Sequence, residues 1–515
     1  MKNKTLFVAL VVSLGGFLFG FDAGIISGVM AYAGPEFNLN DIQNGWAVSA
    51  PSAAAFISMF FIGAFSDKYG RKKLLLYVAF TYALSAVLSA FAVGYHMLWM
   101  ARFIGGIAFG AALVIAPAYI AEISTAENRG KLVSVQQLNI VLGFFAAFLS
   151  NYFFNKGYTS GNSDFLTESN VWRWMLGVEL LPAVLYFFLL FFVPRSPRWL
   201  AIKGNYDEAE VILKEMHGVE HAKEEITTIV QSLNEQEVNT KTKVRIKDLF
   251  SPALKYVMTV GLIIGLLQQI TGINAIYFYA TSIFKQTGIG TDAAFASGIW
   301  LSLTTVLFTI VAMVLIDRMG RRPLMLFGIC GIAVSLLLCS YGFNQATYKL
   351  SKSDIESLSF QEKQLLSSIE DKEYSSDIDF KNALKDLLGN KVYSSNDGEI
   401  MEAAISVNAL LVLIGILGFV ACFAFSLGPV MWVMLSELFP NLYRGAAIGF
   451  IASINGFASW LVQFIFPWEL SNLGNAASFF IFGAIALVGF FIMLKFLPET
   501  KGKSLEEIEQ DFVKA

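Results

Sequence analysis

The chain has 515 residues, 56% of them hydrophobic and 15% charged, with a formal net charge of -3. A soluble protein carries about 25% charged residues, so one water-filled exterior cannot be expected to surround this chain, and lipid must cover much of it. The near-neutral balance gives no basic domain for nucleic acid, and three cysteines inside apolar stretches with three histidines offer no disulfide framework and argue against a zinc site.

Met1-Lys2-Asn3-Lys4 precedes an apolar run that reaches about Met30. The run holds Asp22 and lacks a small-residue cleavage site, so it is read as a retained first span and not as a cleaved signal. A span needs about 20 mostly apolar residues. Six such stretches run near 5–30, 44–64, 74–93, 97–121, 132–154 and 174–193. A polar, Glu/Lys-rich linker over 195–253 is expected to form short cytoplasmic helices. Six more stretches run near 254–286, 294–316, 323–343, 404–436, 446–468 and 476–497, followed by a cytoplasmic tail at 498–515. This gives an all-α membrane protein with an N-terminal six-helix half (1–194) and a C-terminal one (254–497).

The short loops set the orientation. Lys68, Arg71, Lys72 and Lys73 follow span 2, Arg129 and Lys131 follow span 4, and Arg318, Arg321 and Arg322 follow span 8. Basic loops stay inside, so both termini are expected in the cytoplasm. The stretch 344–402 then lies outside, with 12 acidic and 7 basic residues. Its Ile355, Leu358, Leu365, Leu366 and Ile369 suit short amphipathic helices. A solvated loop and a small packed cap both remain open there.

The halves repeat. Asp67-Lys68-Tyr69-Gly70-Arg71 recurs 250 residues later as Asp317-Arg318-Met319-Gly320-Arg321. Glu122 and Arg129 recur 315 residues later as Glu437 and Arg444. Each charge alone is an ordinary inside-loop residue. As repeated acid–arginine sets, they are expected to tie helices within a half and one half to the other, closing the cytoplasmic side. A two-half design places a substrate between the halves near the midplane.

A charge inside a span marks function by default. Asp22 lies in span 1 between Gly20 and Gly24, Arg102 in span 4 before Gly105 and Gly106, and Glu179 in span 6. An aspartate that parts from an arginine during transport can take a proton; a static ion pair is the bland alternative. Span 7 carries Gln268-Gln269, Thr271-Gly272, Asn274, Tyr277 and Tyr279. Such groups can merely join helices. Amides also match sugar hydroxyls, and aromatic faces pack on the C–H side of a ring. Gln137, Asn455 and Trp432 are candidates to complete the site, with Gly428-Pro429 breaking span 10 just before Trp432.

These features come with an ordered set of motifs: Gly20-Phe21-Asp22, Asp67 to Arg71, Arg102, Glu122 to Gly130 and Pro194-Arg195-Ser196-Pro197-Arg198. The set continues with Gln268-Gln269 to Asn274, Asp317 to Arg321, Gly428-Pro429-Val430, Glu437 to Arg444 and Pro498-Glu499-Thr500-Lys501-Gly502. Together they resemble the sugar porter family of the major facilitator superfamily, closest to bacterial xylose–proton symporters and related glucose facilitators. The resemblance covers nearly all of the chain outside 344–402.

It implies a monomeric, multi-pass inner-membrane importer without a cofactor, moving a hexose or pentose with a proton by alternating access. It implies sugar contacts from Gln137, Gln268, Gln269, Asn274, Trp432 and Asn455, with Phe19 nearby, and a proton pair of Asp22 and Arg102. Family facilitators carry asparagine at the Asp22 position, which favours symport here. Four positions depart from the pattern: Arg195 replaces a glutamate, Phe278 a tyrosine, Thr305 an asparagine and Gly456 a tryptophan, the last enlarging the pocket on its side. The alternatives are an uncoupled facilitator and a cyclic-polyol (myo-inositol) transporter. A sensor is disfavoured by the short tail, a drug exporter by the amides, and an enzyme by the lack of a nucleophile–base set.

Overall fold

A computed structural model describes residues 2–125, 128–161, 164–219 and 245–502, with single positions 222, 226, 227, 231 and 507; for Lys2, Asn3, Arg129, Asp317 and Asn441 it describes the backbone alone. Twelve spans among the described residues are long and apolar enough to cross a membrane. In the first half these are α1 (Lys2–Glu36), α2 (Asp41–Tyr69), α3 (Arg71–Ala90), α4 (Tyr95–Glu122), α5 (Arg129–Thr159) and the pair α6 (Val171–Gly177) and α7 (Leu180–Leu189). The linker adds α8 (Pro197–Ile202) and α9 (Tyr206–His217); most of 220–244 lies outside the described residues.

In the second half, span 7 is three helices: α10 (Lys255–Ile270), α11 (Ile273–Phe278) and α12 (Ala280–Lys285). Then come α13 (Thr291–Met319), α14 (Arg321–Asn344), the insertion helices α15 (Lys352–Ser357) and α16 (Asp377–Ala404), and α17 (Ala409–Phe425) with α18 (Leu427–Leu438) as span 10. α19 (Asn441–Asn472) and α20 (Gly474–Phe496) close the half.

Two breaks shape the interior. Span 7 reads as one apolar stretch, yet Gly272 takes φ +89 and ends α10. A Cβ there would meet the Phe482 ring at 2.7 Å, so both conformation and space demand glycine. In span 10 the break falls at Ser426 (φ -126, ψ -97), upstream of the expected Gly428-Pro429. A helix tolerates proline in its first turn, where the missing N–H has no partner to lose; Pro429 therefore sits in the first turn of α18, and the bend falls at Ser426.

Glycines every fourth residue let α1 lie against α5. A Cβ on Gly20 would come within 1.9 Å of the Ile140 carbonyl, and Cβ atoms on Gly24 and Gly28 would press on Ala147 and Asn151. From the facing helix, Gly143 sits as close to the Phe17 carbonyl. Such small-residue seams let helices pack in lipid through close backbone contact.

Among the described residues, the closest approaches between the halves lie toward one face. Call the face with the Arg71 and Arg321 loops the basic face, and the opposite one the insertion face. Toward the insertion face, a Cβ on Gly45 of α2 would reach the Phe464 carbonyl of α19 at 2.1 Å, and one on Gly298 of α13 would reach Phe148 of α5 at 2.4 Å. Toward the basic face, Gly63, Gly130, Gly445 and Gly449 of α2, α5 and α19 face open space. Among the described residues, the molecule is thus shut at the insertion face, with no such glycine contact between the halves toward the basic face.

The insertion is a packed cap. Tyr348, Leu366, Phe380, Leu384 and Ile400 form its own core, and Thr347–Tyr348 pairs antiparallel with Ile405–Ser406. Of its expected apolar positions, Ile355, Leu358, Leu366 and Ile369 are buried, while Leu365 faces out. Asp377 fastens the cap by accepting bonds from the Asn475 backbone and side-chain amides, each 3.1 Å. Lys381 bonds Asp377 at 3.1 Å and Gln286 at 3.2 Å.

Candidate functional site

The bends gather amides that lie up to 187 residues apart in the sequence. Gln268 and Gln269 end α10, and Asn274 opens α11 across the Gly272 break. Gln268 Nε2 donates to the Leu427 and Gly428 carbonyls at 3.1 and 3.3 Å, which the Ser426 bend exposes. Gln269 Nε2 donates to Gln268 Oε1 (3.2 Å) and Asn455 Oδ1 (3.1 Å). Asn455 Nδ2 returns to Gln268 Oε1 at 2.8 Å and to the Gly265 carbonyl at 2.7 Å. Asn274 Nδ2 donates to Gln269 Oε1 and to Ser459 Oγ, both at 2.7 Å. The result is a closed ring of neutral donors and acceptors, with no buried charge to neutralise. Each bond can be exchanged for one to a hydroxyl of similar geometry.

Other expected members stand apart from this ring. Trp432 is 41% exposed on α18, beyond the Ser426 bend. Gln137 is partly buried on α5 of the other half. Phe19 stacks on Phe109 at 4.8 Å inside the N-terminal half. The Tyr279 hydroxyl donates to the Gln463 carbonyl at 2.9 Å, which makes it a helix-to-helix tie in this state. Tyr277 is bonded to Thr305 at 2.9 Å. Gly456 faces α2 of the other half, where a Cβ would meet the Phe56 ring at 3.4 Å, an ordinary contact. Sequence reasoning missed Ser459 and Gln463. The signal was present, since Asn455, Ser459 and Gln463 recur every four residues on one face of α19.

Asp22 and Arg102 do meet. Arg102 Nη1 lies 3.0 Å from Asp22 Oδ1, and Nη2 lies 3.4 Å from Oδ2. Arg102 is 1% exposed and Asp22 is 7% exposed. Glu179, in the turn between α6 and α7, is equally buried and lies within electrostatic reach of both. Gly105 and Gly106 bring α4 against Ser85 and the Pro51 backbone, which sets the arginine deep. Removing one partner of such a pair strands a buried charge and costs about 3–5 kcal/mol. The pair is therefore either permanent or exchanged for another well-defined state.

On the basic face the repeat is structural. Arg71 bonds Glu122 at 2.9 Å and Asp67 at 3.0 Å, and its Nη1 donates to the carbonyl five residues back, Ser66. Arg321 bonds Glu437 at 2.9 Å, and its Nη1 donates to Ile316, again five back. Ser196 donates to Glu122 at 2.5 Å as Thr500 does to Glu437 at 2.6 Å. The side chains of Arg129 and Asp317 lie outside the described residues. Arg444 does not pair with Glu437; its Nε donates to the Phe439 carbonyl at 3.1 Å, because Arg321 and Thr500 already occupy the carboxylate. The described ion pairs on this face stay within one half, in contrast to the expected half-to-half ties.

The Arg195 departure has a local consequence. Its counterpart Glu499 accepts the backbone N–H groups of Arg321 and Arg322, both at 3.1 Å, and so caps α14. Arg195 cannot accept them for α3 and instead reaches the exposed Glu208 at 3.4 Å. Arg195→Glu is expected to restore the cap and stabilise the fold by about 1 kcal/mol. A melting temperature of the purified protein no higher than that of the parent would count against this.

Comparison with known proteins agrees with this architecture. The family model described as "Sugar (and other) transporter" matches residues 8–359 and 391–512, so its interruption falls within the cap. An arabinose–proton symporter of Bacillus subtilis is 31% identical over 98% of this chain and 95% of its own length. The major myo-inositol transporter IolT of the same organism is 32% identical over 98% of this chain and 93% of its own length. The inward-open structure of the xylose transporter XylE from E. coli superposes with a TM-score of 0.74 at 27% identity, covering 98% of this chain and 99% of that one. Twelve spans in two repeated halves, a bent seventh span lined with amides and the matching family model place this chain in the Sugar (and other) transporter family, with the major facilitator fold.

Proposed function

We propose that the protein imports a monosaccharide together with a proton, by alternating access, from an external insertion face to a cytoplasmic basic face. The observation that carries the reading is the amide ring of Gln268, Gln269, Asn274 and Asn455. A sugar hydroxyl both donates and accepts, as these amides do. On binding, bonds among the amides are traded for bonds to the sugar at little net cost. The ring is neutral, so a charged cargo finds no counter-ion there.

Proton coupling rests on Asp22. In the state described here Arg102 holds its carboxylate. A movement that draws Arg102 away leaves the carboxylate without its counter-ion, and a proton then neutralises it. Sugar and proton leave toward the basic face, and Arg102 recaptures the bared carboxylate. Glu179, beside both, is the second carboxylate of this relay. The chain acts on its cargo by moving it, without chemical change, as a monomer in the cell membrane with both termini inside. A cyclic-polyol substrate is the second reading, favoured by the likeness to IolT.

Proteoliposomes holding a pH-sensitive dye test the proposal with D-xylose, D-glucose, L-arabinose, D-galactose, D-fructose and myo-inositol in turn. At least one monosaccharide is expected to carry protons with it. A transported sugar that moves no protons would establish a facilitator. Transport of myo-inositol alone would establish the polyol reading.

A further inference from the structure

α19 carries a polar file that climbs from the amide ring to the outer closure. Asn455, Ser459 and Gln463 are four residues apart, about 6 Å of rise at each step. Ser459 Oγ accepts from Asn274 Nδ2 at 2.7 Å and from Gln463 Nε2 at 3.0 Å. Gln463 is 1% exposed, and its Oε1 accepts from Ser52 Oγ at 2.8 Å. Ser52 belongs to α2, in the other half. Two turns further along α19, Ser471 donates to Asp41 of the same helix α2 at 2.9 Å. Between these ties lies the tight seat of Gly45 against Phe464.

We infer that Ser52 and Gln463 are positioning residues that report occupancy of the amide site to the outer closure between α2 and α19. The chain of bonds runs Asn274–Ser459–Gln463–Ser52. Ser459 is its hinge, since one hydroxyl oxygen serves two amides. Two N–H donors on one oxygen weaken each other, so when a sugar hydroxyl takes the Asn274 amide, the Gln463 bond to Ser459 strengthens. A better-held Gln463 presents Oε1 to Ser52 more of the time. Sugar therefore tightens the insertion-face closure before release on the other side. None of these side chains is ionisable, so the effect is independent of pH.

This inference rests on the sugar site proposed above, and the experiment separates the two. Cys330, Cys339 and Cys422 are replaced by alanine. A reporter thiol is then introduced as Ser27→Cys, a buried position bonded across the halves to Thr281. A membrane-impermeant maleimide added at the insertion face reads opening there. Ser52→Ala and Gln463→Leu should each speed labelling about three- to tenfold, as loss of one hydrogen bond predicts. The double variant should match the single ones, because they break the same bond, and Ser52→Thr should label like the parent. D-xylose, D-glucose, L-arabinose or myo-inositol, whichever the same sample binds by calorimetry, should slow labelling in the parent and not in Gln463→Leu or Ser459→Ala. Additive effects in the double variant would overturn the Ser52–Gln463 link. Sugar protection that persists in both Gln463→Leu and Ser459→Ala would overturn the coupling. A parent that binds none of these four, nor D-galactose or D-fructose, refutes the sugar site, while the sugar-free comparison still decides the link.

Discussion

Asp22→Asn is expected to abolish accumulation of sugar against a gradient while sugar-for-sugar exchange continues. Asparagine keeps the size of the side chain and one oxygen for Arg102, so the packing around the pair survives. It cannot take up or release a proton at any pH between 5 and 9. Arg102 keeps a neighbouring carboxylate in Glu179, which limits the cost of removing its partner. In energised vesicles the accumulation ratio should fall to about one. Exchange should stay within a few-fold of the parent, since it needs only the sugar-loaded carrier to move. The parent's concentrative uptake should fall as external pH rises, because loading requires the protonated carboxyl; the variant's residual flux should be flat with pH. Unchanged accumulation by the variant would remove Asp22 from the coupling step.

The spans could be read from the chain because lipid imposes a single requirement, a long apolar run, and each run reports it independently. The repeat could be read because the same acid and arginine spacings serve the same helix ends twice. What sequence leaves out is partnership. Glu437 pairs with Arg321, 116 residues away in the chain, and not with Arg444, seven away. Spacing reports which residues share a turn, whereas the partner comes from the helix across the groove. Span 7 looks continuous because Thr271-Gly272 interrupts hydrophobicity too briefly to register, yet the positive φ of Gly272 is what brings Asn274 beside Gln269. Tyr279 illustrates a third limit. Its hydroxyl is a good sugar ligand by chemistry, but in this state it is spent on the Gln463 carbonyl. Which state is populated depends on the balance of the two faces, a property of the assembled halves.

That balance leads to the second large effect, Asp292→Ala, which is expected to open the insertion face. Asp292 sits in the first turn of α13 and takes three bonds from α5 of the other half: Asn155 Nδ2 at 2.7 Å, Lys156 Nζ at 2.9 Å and Thr159 Oγ1 at 3.0 Å. The Lys156 pair is half exposed, so water screens it and it adds little. The bond from the fully buried Asn155 has no water to replace it, so the set together favours closure by about 2–3 kcal/mol. Alanine then shifts the closed-to-open ratio by roughly 30- to 150-fold, read as faster thiol labelling of the Ser27→Cys reporter from the insertion face. Asp292→Asn retains an oxygen for Asn155 and Thr159 and loses only the attraction to Lys156, so its effect should be several-fold smaller. Added salt should move the parent little, since it screens the exposed lysine pair and not the buried amide. Asp292 shares no hydrogen-bond partner with Ser52 or Gln463, so the two sets of variants should multiply when combined. If Asp292→Ala labels at the parent rate, its three bonds do not hold the closure, and Phe295 against Tyr32 becomes the contact to cut.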